Sequence, residues 1–302
     1  MRRGFTMVEL IMTIVIMGIL AGGAYVSLAK LFTRSAQSKA VSDLSFDSVL
    51  ISHQIAALLS QRVPSTVIGY DPVQNKFESV YTISDSYPVL EWIANDYEGF
   101  QSGMYSSFID LDKSDRDQNM LYSPDTDINA TNRAVIFAGA FDEGDMTYDP
   151  TDFQNAFGWH ENNSSKIFEL NSTSTGPNLY LKTRPPVVYE KYTLVKTAYA
   201  VTRYGDIKQD ATCIQDLGLS DTIGDNTLFL FYDYQPWKGE TFCADPNGTR
   251  KEGNVTILST EVSGFSTDFV NDNLQFSITL ERVIKKPGKD FNVTISKQKV
   301  IY

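Results

Sequence analysis

The chain has 302 residues, 42% of them hydrophobic and 12% aromatic. After a short leader and one apolar span this leaves enough chain for one sizeable domain, or two small ones, with its own core. A formal net charge of -11 and a pI of about 4.7 favour solubility and argue against a phosphate-binding surface, so no nucleic-acid partner is expected.

The first 32 residues, MRRGFTMVELIMTIVIMGILAGGAYVSLAKLF, combine a two-arginine leader, a glycine and a long apolar run. From Phe5 to Phe32 the only acid is Glu9 and the only base is Lys30. At about 1.5 Å per helical residue the run is long enough to cross a hydrocarbon layer of about 30 Å. A carboxylate inside such a span costs roughly 2.5 to 3.5 kcal/mol on insertion scales, so Glu9 needs a partner and marks a functional position. Positive charge stays cytoplasmic, which places everything after Lys30 outside. Two other readings remain open: a secretory signal cleaved near Ala21-Gly22-Gly23-Ala24, and an uncleaved anchor. An acid in the apolar core is atypical of the first, and neither accounts for glycine, phenylalanine and glutamate at these spacings.

Gly4-Phe5-Thr6-x-x-Glu9 followed by an apolar helix resembles the class III signal of type IV pilins and type II secretion pseudopilins. The resemblance implies that a prepilin peptidase cuts after Gly4 and methylates the new amino terminus at Phe5. Glu9 is then the fifth mature residue, and by the same resemblance it meets the cationic amino terminus of a neighbouring subunit as subunits leave the bilayer for a filament. Opposite charges in a low-dielectric bundle offset each other's desolvation, which gives a lone acid near a newly made amine its physical sense. The mature chain, without Arg2 and Arg3, is more acidic still.

From Thr33 to Arg62 there is no proline or glycine, and Val41, Leu44, Ile51, Ile55 and Leu58 recur at helical spacings, while Arg34, Lys39, Asp43 and Asp47 fall elsewhere. The pattern predicts one continuous helix over 5–62, transmembrane over 5–29 and amphipathic beyond, ended by Pro64. It resembles the pilin spine. Gly18, Gly22 and Gly23 weaken a helix by roughly 1 kcal/mol each relative to alanine. Close packing against neighbouring helices and a functional melting point both account for them.

Residues 65–186 are polar and poorly periodic and read as a loop-rich insertion, too aromatic for a simple disordered linker, with short strands at Val80-Tyr81-Thr82-Ile83 and Ala134-Val135-Ile136-Phe137. Within it, Asp110, Asp112, Asp115, Asp117 and Asn119 have a weak calcium flavour but lack the glycine and glutamate of a hand-type loop, so a solvated acidic loop is the preferred reading. Strand signals are then dense at 187–203, 227–234, 255–258, 265–270, 274–283 and 291–302. The last two flank Lys285-Lys286-Pro287-Gly288-Lys289, suited to an antiparallel hairpin. The expected fold is α+β: a long amino-terminal helix packed on a carboxy-terminal antiparallel sheet, with 1–4 as leader and 63–302 as one β-rich periplasmic or extracellular domain. No internal repeat is visible.

The strand layout of roughly the last 120 residues, with Val255-Thr256-Ile257-Leu258 and Val262-Ser263-Gly264-Phe265 before a closing hairpin, is similar to PilW-like and GspJ-like minor pilins. Glu9 departs from the K-type pseudopilin, which typically lacks that acid. Length favours a filament tip over a repeated shaft position, since major pilins are usually much smaller. The partners this resemblance implies are other minor and major pilins or pseudopilins, the prepilin peptidase, and inner-membrane lipid before assembly. A tip adhesin with surface-binding loops is the alternative, and a membrane-tethered envelope enzyme is a third class.

Cys213 and Cys243 form an even count in an oxidising compartment, which predicts one disulfide closing a loop of about thirty residues and stabilising the domain by roughly 3 to 4 kcal/mol. Two separate buried thiols are the other reading. No catalytic residues and no cofactor are expected: His53 and His160 stand alone, with no second histidine at ligand spacing, and there is no glycine-rich phosphate loop. Asn129, Asn163, Asn171, Asn254 and Asn292 each have Ser or Thr two residues later and an acid two residues earlier, namely Asp127, Glu161, Glu169, Glu252 and Asp290. This D/E-x-N-x-S/T form resembles the extended acceptor of some bacterial oligosaccharyltransferases and makes the five asparagines candidate glycosylation sites.

Overall fold

A computed structural model describes residues 6–82, 86–128, 132–137, 153–207, 223–243, 251–270, 273–285 and 290–301. Its first element is α1, Met7–Leu59. Thr6 and Glu9 start it as a capping box: Glu9 Oε2 accepts from the Thr6 N–H and Oγ1, both at 3.0 Å, and Thr6 Oγ1 accepts from the Glu9 N–H at 3.4 Å. The helix ends three residues before the expected Arg62. Its last turn tightens, with the N–H of Gln61 and Arg62 donating to Leu58 and Leu59 carbonyls at 3.1 Å, and Arg62 Nη1 donates to the Leu59 carbonyl at 3.0 Å. Pro64 then opens a short 3-10 turn, Pro64–Thr66.

Chain contacts divide the molecule into two compact units: Met1–Asp47 with Glu281–Ile295, and Ser48–Leu280 with Ser296–Tyr302. In the first unit the apolar side chains from Met7 to Leu28 are exposed, Ala40 and Leu44 are buried, and Asp43 Oδ2 accepts from Arg282 Nη1 at 3.2 Å. In the second, Ser48, Ile51, Ser52, Ile55 and Leu59 are buried. The expected apolar face is thus right at Leu44, Ile51 and Ile55 and off elsewhere: Val41 is 46% exposed and Leu58 half-buried. Alanine and two serines belong to the buried set instead. Ser52 Oγ back-bonds to the Ser48 carbonyl at 2.6 Å, so the hydroxyl is satisfied without water.

Fourteen strands follow among the described residues: β1 Ile68–Asp71, β2 Lys76–Ser79, β3 Val89–Asn95, β4 Asp110–Asp115, β5 Met120–Tyr122, β6 Ala134–Phe137, β7 Ile167–Glu169, β8 Asn178–Tyr180, β9 Tyr192–Arg203, β10 Leu228–Tyr234, β11 Asn254–Ser259, β12 Val262–Val270, β13 Asn273–Ile284 and β14 Phe291–Ile301. A five-residue helix, α2 (Tyr97–Gln101), is capped by Asp96. Among the described residues the strands form three sheets and not one. An eight-stranded sheet runs β11-β10-β9-β3-β1-β2, with β6 pairing both β9 and β7, and two three-stranded sheets run β12-β13-β14 and β4-β5-β8. The expected strands of the last third match β9 to β14 within a few residues. The segment 65–186 contributes far more than loops, since β3 sits inside the large sheet, antiparallel to β1 and β9. Val80–Thr82 form a turn and not the expected strand, and Ile83 lies outside the described residues.

β6 shows why a four-residue apolar run is needed. Ala134 and Ile136 join one core with Phe157, Trp159, Phe229, Phe231 and Phe242, while Val135 and Phe137 join a second with Tyr105, Leu121, Phe168 and Tyr192. Successive strand side chains point to opposite faces, so a strand dry on both sides cannot alternate with polar residues. β9 does the same, giving Leu194 to the second core and Val195 to the first.

Candidate functional site: the amino-terminal helix

α1 contains the one stretch among the described residues long and apolar enough to cross a membrane, with a mean hydropathy of 2.1 and none of it buried within the chain. Its few polar groups are satisfied locally. Thr13 Oγ1 donates to the Glu9 and Leu10 carbonyls at 2.8 and 2.9 Å, Ser27 Oγ to Gly23 at 2.9 Å, and Thr33 Oγ1 to Ala29 at 2.8 Å. Such back-bonding is what a hydroxyl requires where water is scarce. A Cβ added at Gly18, Gly22 or Gly23 would meet nothing within 4 Å, so no contact inside the chain requires glycine there.

Glu9 is the exception to local satisfaction. Both hydrogen bonds to its carboxylate fall on Oε2, and Oε1 accepts none among the described residues. The capping box fixes the carboxylate at the head of the helix with one oxygen available. Gly4 and Phe5, the expected cleavage pair, lie outside the described residues. Residues 1–25 match the family model of the prokaryotic N-terminal methylation motif. This amino-terminal signal is of the kind that type IV pilins and pseudopilins carry, and it supports a relationship to that family. No curated protein and no solved structure matches the chain.

The pilin-type signal is that of a protein processed by prepilin peptidase and, with the long apolar helix, fits anchoring in the inner membrane. It suggests a structural protein and not an enzyme. Of the other sequence-marked residues, Cys243 is not a free thiol, while Cys213 lies outside the described residues, as does Asn129. Asn163, Asn254 and Asn292 are exposed and Asn171 is half-buried. His53 is exposed on α1.

The aspartate cluster is arranged as two local turns. Asp110 Oδ1 accepts from the N–H of Asp112 and Lys113, at 3.2 and 3.3 Å, and Asp115 Oδ1 from those of Asp117 and Gln118, at 2.9 and 3.3 Å. Lys113 Nζ lies 3.1 Å from Asp110 and Arg184 Nη2 3.2 Å from Asp117. The hydrogen bond from Lys113 lowers the Asp110 pKa, and the same contact raises that of Lys113. Among the described residues no group of three or more acids, histidines or cysteines comes together in a way that could hold a metal.

One polar cluster escaped sequence reasoning. Glu91, in the middle of β3 and 1% exposed, accepts from Tyr234 Oη at 2.8 Å and lies 2.7 Å from His160 Nε2. The His160 ring stacks on Tyr70 with centroids 3.6 Å apart. Burial, then the Glu91 carboxylate, pushes the Tyr234 hydroxyl well above its usual pKa. His160 reaches Glu91 from the short turn Trp159–Glu161, where it has φ 47°, after Gly158 at φ 82°. A Cβ at Gly158 would stand 2.5 Å from the Pro236 carbonyl oxygen, so only glycine lets these two segments meet. With Glu91 buried and the His160 side chain only 9% exposed, the pair ties the turn to the sheet. The three residues are 69 and 143 positions apart in sequence, and no local signal announces them.

Proposed function

We propose that the chain is a minor pilin or minor pseudopilin that helps initiate or cap a type IV pilus or a type II secretion pseudopilus, working by helix packing and not by catalysis. The observation that carries this reading is Glu9, fixed by Thr6 through Oε2 with Oε1 unclaimed, four residues after the expected new amine at Phe5. A neighbouring subunit's methylated amine is the partner that would offset the burial of this carboxylate. Gly18, Gly22 and Gly23, with no packing role inside the chain, suit close approach by neighbouring helices.

In this reading residues 1–4 are the leader, 5–62 the assembly helix with 5–29 in the inner membrane, and 63–302 the periplasmic or extracellular domain. Its partners are other minor and major pilins or pseudopilins, the prepilin peptidase and membrane lipid. The PilW-like or GspJ-like assignment rests on the strand layout of the last third. A Cys213–Cys243 disulfide belongs to the same reading, because both residues would sit in an oxidising compartment. Non-reducing peptide mapping that found two free thiols would remove it.

The test is Glu9→Val. Membrane insertion should be unchanged or improved, since the buried charge is gone, while the amount of this protein in sheared filaments should fall. Equal incorporation of variant and wild type contradicts the role given to Glu9. A second reading, a tip adhesin, is favoured by exposed apolar side chains at Tyr97, Phe100, Phe108, Leu111, Val187 and Tyr189. Normal filament numbers with lost surface attachment in a deletion strain would select it.

A further inference from the structure

Four of the five candidate asparagines named above fall on described residues, and their acceptor amides are in different states. Asn254 is exposed, but it pairs with Tyr232 across the β10–β11 ladder and its Nδ2 donates to Asp233 Oδ2 at 3.3 Å. Asn292 lies within β14 and its Nδ2 donates to Glu281 Oε1. Asn171 is half-buried, donates its N–H to the Tyr180 carbonyl at 2.7 Å, and accepts from the Thr173 N–H through Oδ1 at 3.4 Å.

Asn163 differs on each count. It is exposed in the short stretch between the Trp159–Glu161 turn and β7, and its side chain makes no hydrogen bond among the described residues. The N–H groups of Asn163 and Ser164 take no part in a backbone hydrogen bond there, while the flanks are held: Gly158 N–H donates to the Asn163 carbonyl at 3.0 Å and Ser165 N–H to the Asn155 carbonyl at 2.8 Å. Glu161 and Ser165, the acid and hydroxyl of the motif, are both exposed. Asn162 supplies an internal contrast. Asn162-Asn163-Ser164 is itself a bare Asn-x-Ser, but its position two residues earlier is His160, and Asn162 Nδ2 donates to the Trp159 carbonyl at 2.9 Å.

N-glycosylation joins the asparagine amide nitrogen to the anomeric carbon of a lipid-diphosphate-linked oligosaccharide. The C–N bond forms, the bond from that carbon to the diphosphate oxygen breaks, the lipid diphosphate leaves with the electron pair, and the amide gives up one proton. The nitrogen must be accessible and not already donating, the neighbouring backbone must be free to enter a cleft, and an acid-selective transferase must find the carboxylate, which a cationic side chain would hold. We propose that Asn163 is a site of N-linked glycosylation on this protein, with Glu161 as the recognition acid. The proposal rests on the extracytoplasmic placement of residues 63–302 proposed above.

Site-resolved glycopeptide mass analysis of the full chain recovered from its native envelope tests this, with the amino-terminal peptide of the same digest read alongside. Asn163 should carry a glycan and Asn162 none. Asn163→Gln should abolish the modified peptide, and Glu161→Gln should lower occupancy by roughly tenfold or more through loss of the charge-assisted contact. A bare Asn163 overturns the site whatever the amino terminus proves to be, and undiminished occupancy in Glu161→Gln overturns the role given to Glu161. The amino-terminal peptide separately decides the pilin reading.

Discussion

The first part of α1 and the β-rich unit handle apolar surface in opposite ways. Leu10, Ile14, Met17, Ile19 and Leu20 are each more than half exposed, whereas Phe229, Phe231, Phe276 and Trp92 are at 0%. The polar groups follow suit. The helix satisfies its hydroxyls within one turn, as at Thr13 and Ser27, while the β unit satisfies Glu91 with partners from distant parts of the chain. The difference teaches that the two regions are written for different surroundings: the helix fits an apolar, membrane-like medium, the strands one another. Changes in one should leave the other's stability untouched.

The largest effect should come from the core. Phe231→Ala removes a ring that packs on Phe242 at a centroid distance of 5.1 Å, and should cost the β unit roughly 3 to 5 kcal/mol. Leu20→Ala should leave the denaturant midpoint of that unit where it was, because Leu20 is 66% exposed. Equal losses in the two variants would abolish the distinction. Glu91→Ala comes next, at roughly 3 kcal/mol, since it strands His160 and Tyr234 as buried groups without their partner. Thermal unfolding of the purified protein measures it, and a change within about 0.5 kcal/mol, the scale of ordinary surface substitutions, would mean the cluster is not the tie described.

Alkaline pH should act more gradually. Burial raises the hydroxyl pKa of Tyr105, Tyr192, Tyr199 and Tyr234 above the ordinary 10.0. Above about pH 10 the unfolded chain has released these protons while the folded one retains them, so folding stability is fully present below that pH and falls as pH rises. Each buried tyrosine contributes up to about 1.4 kcal/mol per pH unit to the slope. Urea midpoints at about pH 8 and pH 11 should separate, and Tyr234→Phe should flatten the dependence. A midpoint independent of pH would contradict the buried placement of these hydroxyls.

How much of this was legible follows the same division. The signal Gly4-Phe5-Thr6-x-x-Glu9 and the apolar run are local, so they can be read directly, and the Thr6–Glu9 capping box sits at the spacing the motif displays. Strands β9 to β14 were legible because β-branched and aromatic residues alternate there. β3 was not: Val89-Leu90-Glu91-Trp92-Ile93-Ala94 is buried throughout, so it shows no alternation, and Glu91 interrupts the apolar run. Its carboxylate is tolerated only because His160 and Tyr234 arrive from far along the chain. On α1 the buried set includes Ala40, Ser48 and Ser52, small residues that apolarity alone does not select.

The central claim, that this chain is processed and assembled as a pilin-family subunit, is tested most directly at its amino terminus. Peptide mass analysis of protein from the envelope should find a mature chain beginning at a methylated Phe5, and Gly4→Ala should leave the uncut precursor in the membrane. A mature wild-type chain that retains Met1, or one cut near Ala24, would contradict it.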